Sequence, residues 1–175
     1  MKKSVRNKDL RIWSAGCSTG EEPYTIAFIL DEFFGKEKAL WDTKILATDI
    51  SGRVLEHASR GIYSSESVNN LPRQWLLNYF YQKESSYEIV DRIKKEVIFR
   101  KFNLMDKNFP FKKKFHIIFC RNVMIYFDKE TKSELIKKFY DAMEHGGYLF
   151  LGHSESLNGG GPEFKYVMPS VYRKE

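Results

Sequence analysis

The run Trp13-Ser14-Ala15-Gly16-Cys17-Ser18-Thr19-Gly20-Glu21-Glu22-Pro23-Tyr24, continuing into TIAFILDEFF, decides how this chain is read. Apolar residues lead into a turn of small residues, and two carboxylates follow. Pro23 then stands in the first turn of a helix, where its missing N–H costs nothing. Strand, tight turn and helix start is the place where open α/β sheets hold a ligand. A helix start carries about half a positive charge and suits anions. Phosphate-binding loops exploit this by keeping acids out of the loop. Here Glu21 and Glu22 stand where a phosphate would sit, so the turn is suited to a ligand bearing positive charge.

Working outward, Leu10 to Ala15 forms the strand before this turn. Ile26, Ala27, Leu30, Phe33 and Phe34 share one helical face after it, and Gly35 ends that helix. Lys44 to Asp49, KILATD, reads as a second short strand ending in an acid, and Ser51 caps a helix to about Ser59. This alternation predicts a mostly parallel sheet. Leu71 to Tyr81 reads as a further, aromatic-rich helix. Alternation of Tyr87, Ile89, Ile93, Val97 and Phe99 across residues 87 to 102 predicts a small antiparallel unit of two or three strands.

The parallel pattern resumes at Phe115 to Cys120. Asp128 caps a helix with Leu135, Ile136, Phe139, Tyr140 and Met143 on one face; Gly146-Gly147 closes it, and Tyr148 to Leu151 is the next strand. Asn158 to Pro162 reads as a loop. Phe164 to Val167 and Val171 to Arg173 read as a closing antiparallel pair.

The 175 residues suit one domain, and 42% apolar with 15% aromatic content is that of a globular protein. No apolar run approaches transmembrane length, and the first residues lack a secretory stretch, so the expectation is an intracellular protein. Cys17 and Cys120 are far apart and are expected to be reduced. Four histidines show no metal-ligand spacing, so no metal site is expected. The net charge of +6 leaves nucleic acid, a membrane surface or an acidic protein open as partners, beside plain solvated faces.

Gly16 and Gly20 do not make the G-x-G-x-x-G of a dinucleotide site. As a P-loop the spacing is one short, with Glu21 in place of the lysine. S-adenosylmethionine carries a sulfonium, an ammonium and a carboxylate but no phosphate, and acids at the mouth suit it. Asp49, at the end of the second strand, is placed either to accept hydrogen bonds from ribose hydroxyls or to cap the following helix. Asn103 and Leu104 stand where an adenine is commonly framed, although Asn103 alone also reads as a turn residue. Arg121 and Asn122 follow the Phe115–Cys120 strand at the ligand end, and Tyr126 comes soon after.

WSAGCSTGEEPYTIA, ILATDIS, FCRNVMIYFD and GGYLFLGHSESL, in this order and spacing, resemble the chemotaxis receptor methyltransferase family, CheR, over residues 10 to 173. The resemblance implies a Rossmann-like class I S-adenosylmethionine-dependent methyltransferase fold, α/β, with a mostly parallel sheet and an antiparallel closing strand. A small helix-plus-β insertion would lie at about 61 to 102 within a single catalytic domain spanning 1 to 175. It implies methyl transfer from S-adenosylmethionine to receptor glutamates, leaving S-adenosylhomocysteine and γ-glutamyl methyl esters, in a cytoplasmic protein.

Carried over by motif, Gly16 belongs to the cofactor turn and Glu22 binds the methionine part. Asp49 binds the ribose, and Asn103 and Leu104 flank the adenine. Arg121 and Asn122 line the pocket, and Tyr126 lies near the transferred methyl as the catalytic residue. The small β unit resembles a subdomain that, in some members, docks a receptor C-terminal peptide. The family also has a helical N-terminal domain, which a chain starting almost at its first strand is expected to lack.

A glutamate acceptor is ionised at neutral pH and needs no general base, in keeping with a sequence that offers no His-Asp or Cys-His arrangement. Two rivals remain open. One is a nucleic-acid methyltransferase, against which Arg121-Asn122-Val123-Met124 replaces the Asn/Asp-Pro-Pro-aromatic motif and Phe119 precedes Cys120. The other is a domain that binds cofactor or receptor peptide without turnover.

Overall fold

The computed structural model describes residues 5–157 and 164–175. In chain order the elements are β1 (Ile12–Ala15), α1 (Glu21–Phe34), β2 (Ile45–Asp49), α2 (Gly52–Arg60), β3 (Ile62–Ser64), α3 (Ser65–Val68), α4 (Arg73–Tyr79) and β4 (Phe80–Gln82). Then come β5 (Ser86–Ile89), α5 (Asp91–Lys94), β6 (Val97–Lys101), β7 (Phe115–Cys120), α6 (Lys129–Ala142), β8 (Met143–Leu151), β9 (Phe164–Met168) and β10 (Val171–Lys174).

Seven strands form one sheet in the order β6-β2-β1-β7-β8-β10-β9. The first five run parallel, and β10 is antiparallel to both β8 and β9. Strand order reverses between β1 and β7, so the crevice beyond their carboxyl ends is the expected ligand site. The closing antiparallel pair is where the pattern put it.

Both faces of the sheet are covered, which explains why its central strands are mostly apolar on both sides, with Ser14 and Thr48 as buried hydroxyls. Successive residues serve opposite faces. Ile12, Ile45 and Ile117 pack with Ala27, Phe28 and Tyr24 of α1, while Trp13, Ile118 and Leu149 pack with Leu135 and Phe139 of α6. Trp13 has no exposed surface and is ringed by Phe102, Phe109, Phe111, Phe115 and Phe139. Its indole N–H donates to the Thr48 hydroxyl at 2.9 Å, so burying it strands no donor.

The helix ends follow their signals. The Ser51 hydroxyl accepts from the Val54 N–H, Asp128 accepts from the Thr131 N–H, and Gly35 ends α1. Both cysteines are free and buried.

Three readings need correction. Val97–Lys101 is not part of an antiparallel unit: β6 pairs parallel with β2 at the edge of the large sheet. Its period-two pattern describes a half-covered strand and is silent about the partner. The separate small sheet, β3-β5-β4, is antiparallel and recruits Ile62–Ser64 and Phe80–Gln82. The aromatic helix therefore stops at Tyr79, because Phe80 is extended and pairs with Ile89. Finally, Gly146-Gly147 does not close α6, which ends at Ala142, but lies inside β8. Phe115 faces Met143 while Ile117 faces Tyr148, and this slip in register takes up the glycine pair. The Asn158–Pro162 stretch lies outside the described residues.

Candidate active site

The turn after β1 is fastened to β2 by backbone. The Gly16 and Cys17 N–H groups both donate to the Thr48 carbonyl, at 2.8 and 2.9 Å. Gly16 has φ +84°, a left-handed conformation that a side chain resists, and a Cβ there would overlap a methyl of Val123. Asp49 locks the same turn from the side. Its carboxylate accepts the Ser18 N–H at 2.9 Å and the Ser51 N–H at 3.0 Å. Ser51, not Asp49, caps α2, so the capping alternative for Asp49 is set aside.

Glu22, in the first turn of α1, is directed across the end of β1. One carboxylate oxygen accepts from the Ser14 hydroxyl at 2.8 Å, and the other meets an Arg121 guanidinium nitrogen at 3.3 Å. Burial pushes the Glu22 carboxyl above its usual value, against the opposing pull of Ser14 and Arg121. Glu21 instead accepts from the Thr19 hydroxyl at 2.8 Å. Burial, reinforced by Asp49, pushes the Cys17 thiol up to about 12, so it stays neutral beside the turn.

The opposite rim is the segment after β7. Asn122 has φ +58° and Val123 packs beneath Gly16. Tyr126 stands at the mouth, 80% exposed. Asn103 accepts the Met105 N–H on its side-chain oxygen at 3.0 Å. It is thus a turn residue, as its type suggested, and it still faces the cavity.

Gly16, Glu22, Asp49, Asn103, Leu104, Arg121, Asn122 and Tyr126 all line one cavity of about 590 Å³, so every residue singled out from sequence is brought to the same place. Ile50, Phe102, Met105 and Phe127 complete much of its apolar lining. Two residues escaped the sequence reading. Ser14 is fully buried and orients Glu22; its signal was a hydroxyl inside an apolar strand. Glu155, only 6% exposed, accepts N–H groups from Asn122, Met124 and Gly152. It stands in GHSES, where nothing local betrays that partnership.

The chain matches the family described as CheR methyltransferase, SAM binding domain, over residues 1–172. The chain belongs to the CheR methyltransferase family. It is 47% identical over 169 residues to a chemotaxis protein methyltransferase of Borreliella burgdorferi, covering 96% of this chain and 59% of that protein. It is 41% identical over 157 residues to one from Escherichia coli, covering 87% of this chain and 54% of that protein. With a Salmonella typhimurium relative the identity is 39% over 171 residues, covering 95% and 59%. The chain therefore spans a little over half the length of these curated relatives. The strand order above is that of the class I S-adenosylmethionine-dependent methyltransferase fold.

The residues present fit S-adenosylmethionine, the cofactor of the CheR family. A half-buried carboxylate suits its ammonium, an acid fixed by two backbone N–H groups at the end of β2 suits its ribose, and the cavity volume is that of a drug-sized ligand. Glu21 and Glu22 in the first turn of α1 make the same turn a poor phosphate cradle. Among the described residues no cluster of histidine, cysteine or acid has metal-binding geometry. No helix among them is long and apolar enough to cross a membrane.

Proposed function

We propose that this CheR domain transfers a methyl group to glutamate side chains in the cytoplasmic region of chemoreceptors, as γ-glutamyl methyl esters. The observation that carries the reading is the Glu22–Arg121 pair, at 3.3 Å across the end of β1, with Tyr126 at the open mouth of the same cavity. S-adenosylmethionine supplies, when bound, a methyl carbon already activated by a sulfonium.

What remains for the chain is to bind, orient and exclude water. Glu22 holds the ammonium end and Asp49 the ribose, while Asn103 and Leu104 flank the adenine. Arg121 and Asn122 line the pocket, with Arg121 adding positive potential towards an acceptor carboxylate. Tyr126, exposed at the mouth, hydrogen-bonds that carboxylate and aligns it for in-line attack. No general base is needed for an acceptor already ionised at neutral pH.

The small sheet offers a second contact. Its order places β3 and β4 at the edges, and a receptor-tail peptide can add to such an edge by main-chain hydrogen bonding. A cytoplasmic location follows from such a substrate.

The decisive experiment is transfer of tritiated methyl to chemoreceptor-containing membranes. Base-labile label in the receptor is the expected result. A chain that binds the cofactor yet leaves no such label would be a binding domain without turnover.

A further inference from the structure

We propose that Glu155 is a positioning residue for the cofactor site, holding the Arg121–Met124 turn in the shape that faces Gly16 and Glu22. The inference rests on reading the cavity as a methyl-donor site. Glu155 does not line the cavity. Its carboxylate lies behind the rim, where one oxygen accepts the Asn122 N–H at 2.9 Å and the Gly152 N–H at 2.7 Å. The other oxygen accepts the Met124 N–H at 2.7 Å. A carboxylate this buried is costly unless its lone pairs are satisfied, and here three backbone donors converge on it.

Two features show what the arrangement is for. Asn122 holds φ +58°, a left-handed conformation that asparagine adopts more readily than most residues with a side chain. Bonds to its own N–H and to that of Met124 hold the backbone in that bend. Second, β8 ends at Leu151 and the chain passes very close to this turn at Gly152. A Cβ at Gly152 would lie 2.6 Å from Asn122 Oδ1 and 2.6 Å from Glu155 Oε2. The carboxylate therefore ties the turn after β7 to the end of β8, on the ligand side of the sheet. The residues it thereby sets are Arg121, which pairs with Glu22, and Val123, which lies against Gly16.

The test is calorimetric titration of the 175-residue chain with S-adenosylhomocysteine, with melting temperatures measured in parallel. In Glu155→Gln the amide nitrogen must oppose at least one backbone N–H, and affinity is expected to fall about ten-fold. Glu155→Ala falls further, so that glutamine is a partial rescue. Gly152→Ala, which leaves the carboxylate but displaces it, also weakens binding. Ile93→Val, in the buried core away from the cavity, lowers the melting temperature and leaves affinity unchanged. If Glu155→Ala does not fold, the glutamine and Gly152 variants carry the test.

Parental affinity in Glu155→Gln would overturn the inference. So would losses that simply track melting temperature across all variants, Ile93→Val included. A parent chain that binds no S-adenosylhomocysteine would instead bring down the methyl-donor reading, and the inference with it.

Discussion

The two turns that face each other across the cavity are held in different ways. The turn after β1 is held locally: Thr48 takes two of its N–H groups, Asp49 takes a third, and Gly16 provides the left-handed bend. The turn after β7 is held from a distance, by a carboxylate 31 to 33 residues further along the chain. The first is built from neighbours in one parallel pair, so its shape survives as long as β1 and β2 stay paired. In the second, the backbone N–H groups of Asn122 and Met124 are taken by one buried side chain remote in sequence. Where they touch, at Gly16 and Val123, a change in either turn reaches the other.

That point of contact is where the largest effect is expected. Gly16→Ala sets a side chain in a left-handed conformation and drives it into Val123. Overpacking of this kind costs about 1–3 kcal/mol, and cofactor affinity should fall by about 100-fold. Calorimetry on the double variant with Val123→Ala sharpens the comparison. Partial recovery shows that the turns are coupled sterically, whereas none leaves the backbone strain at Gly16 as the whole effect.

Asp49→Ala removes the acceptor of the Ser18 N–H in this turn and of the Ser51 N–H before α2, as well as the proposed ribose contact. Affinity is expected to fall about 10- to 100-fold, with Asp49→Asn in between. If both variants bind as the parent does, the bonds to Thr48, the Gly20 N–H bond to the Cys17 carbonyl and the Tyr63 hydroxyl bond to the Thr19 carbonyl hold the first turn without Asp49.

Glu22 links the turns electrostatically, and its variant separates function from stability. Its carboxyl is raised by burial, so just above the ordinary carboxylate range the folded chain keeps a proton that the unfolded chain has lost. Stability contributed there falls as pH rises. Glu22→Gln should therefore melt no lower than the parent at neutral pH, while cofactor binding weakens several-fold, about the worth of one ion pair. Binding to the parent should weaken as pH falls, sooner than an exposed glutamate would dictate. Melting curves and titrations run upward from the ordinary carboxylate pKa, about 4.3, to neutral pH check both signs.

The smallest effect on binding is expected at Tyr126. The ring is exposed at the mouth, so Tyr126→Phe should leave affinity and melting temperature as they are and lower methyl transfer about 10- to 100-fold. Unchanged turnover would remove its catalytic role.

Much of this was legible in the chain. Gly16, Glu22 and Asp49 carry their signal locally, because a glycine turn, a helix-start acid and a strand-end acid each have a physical meaning within a few residues. The Phe115–Cys120 strand was readable for the same reason: a short apolar run followed by a polar pair. The partner of Val97–Lys101 was not, since one pleated pattern serves a parallel edge as well as a hairpin. Nor was the extent of the small sheet, whose strands are three or four residues long and draw on sequence on both sides of α4.

By itself, then, the sequence determined the parallel α/β architecture, the ligand end of the sheet, and the preference for a cationic ligand over a phosphate. Those follow from periodicity, turn chemistry and charge, which act over one or two turns of chain. Only the tertiary structure decided which strand pairs with which, that Ser14 orients Glu22, and that Glu155 sets the far rim. Hydrogen bonds between residues separated by long stretches of chain leave no local pattern, because their geometry exists only once the sheet has brought β7 and β8 side by side.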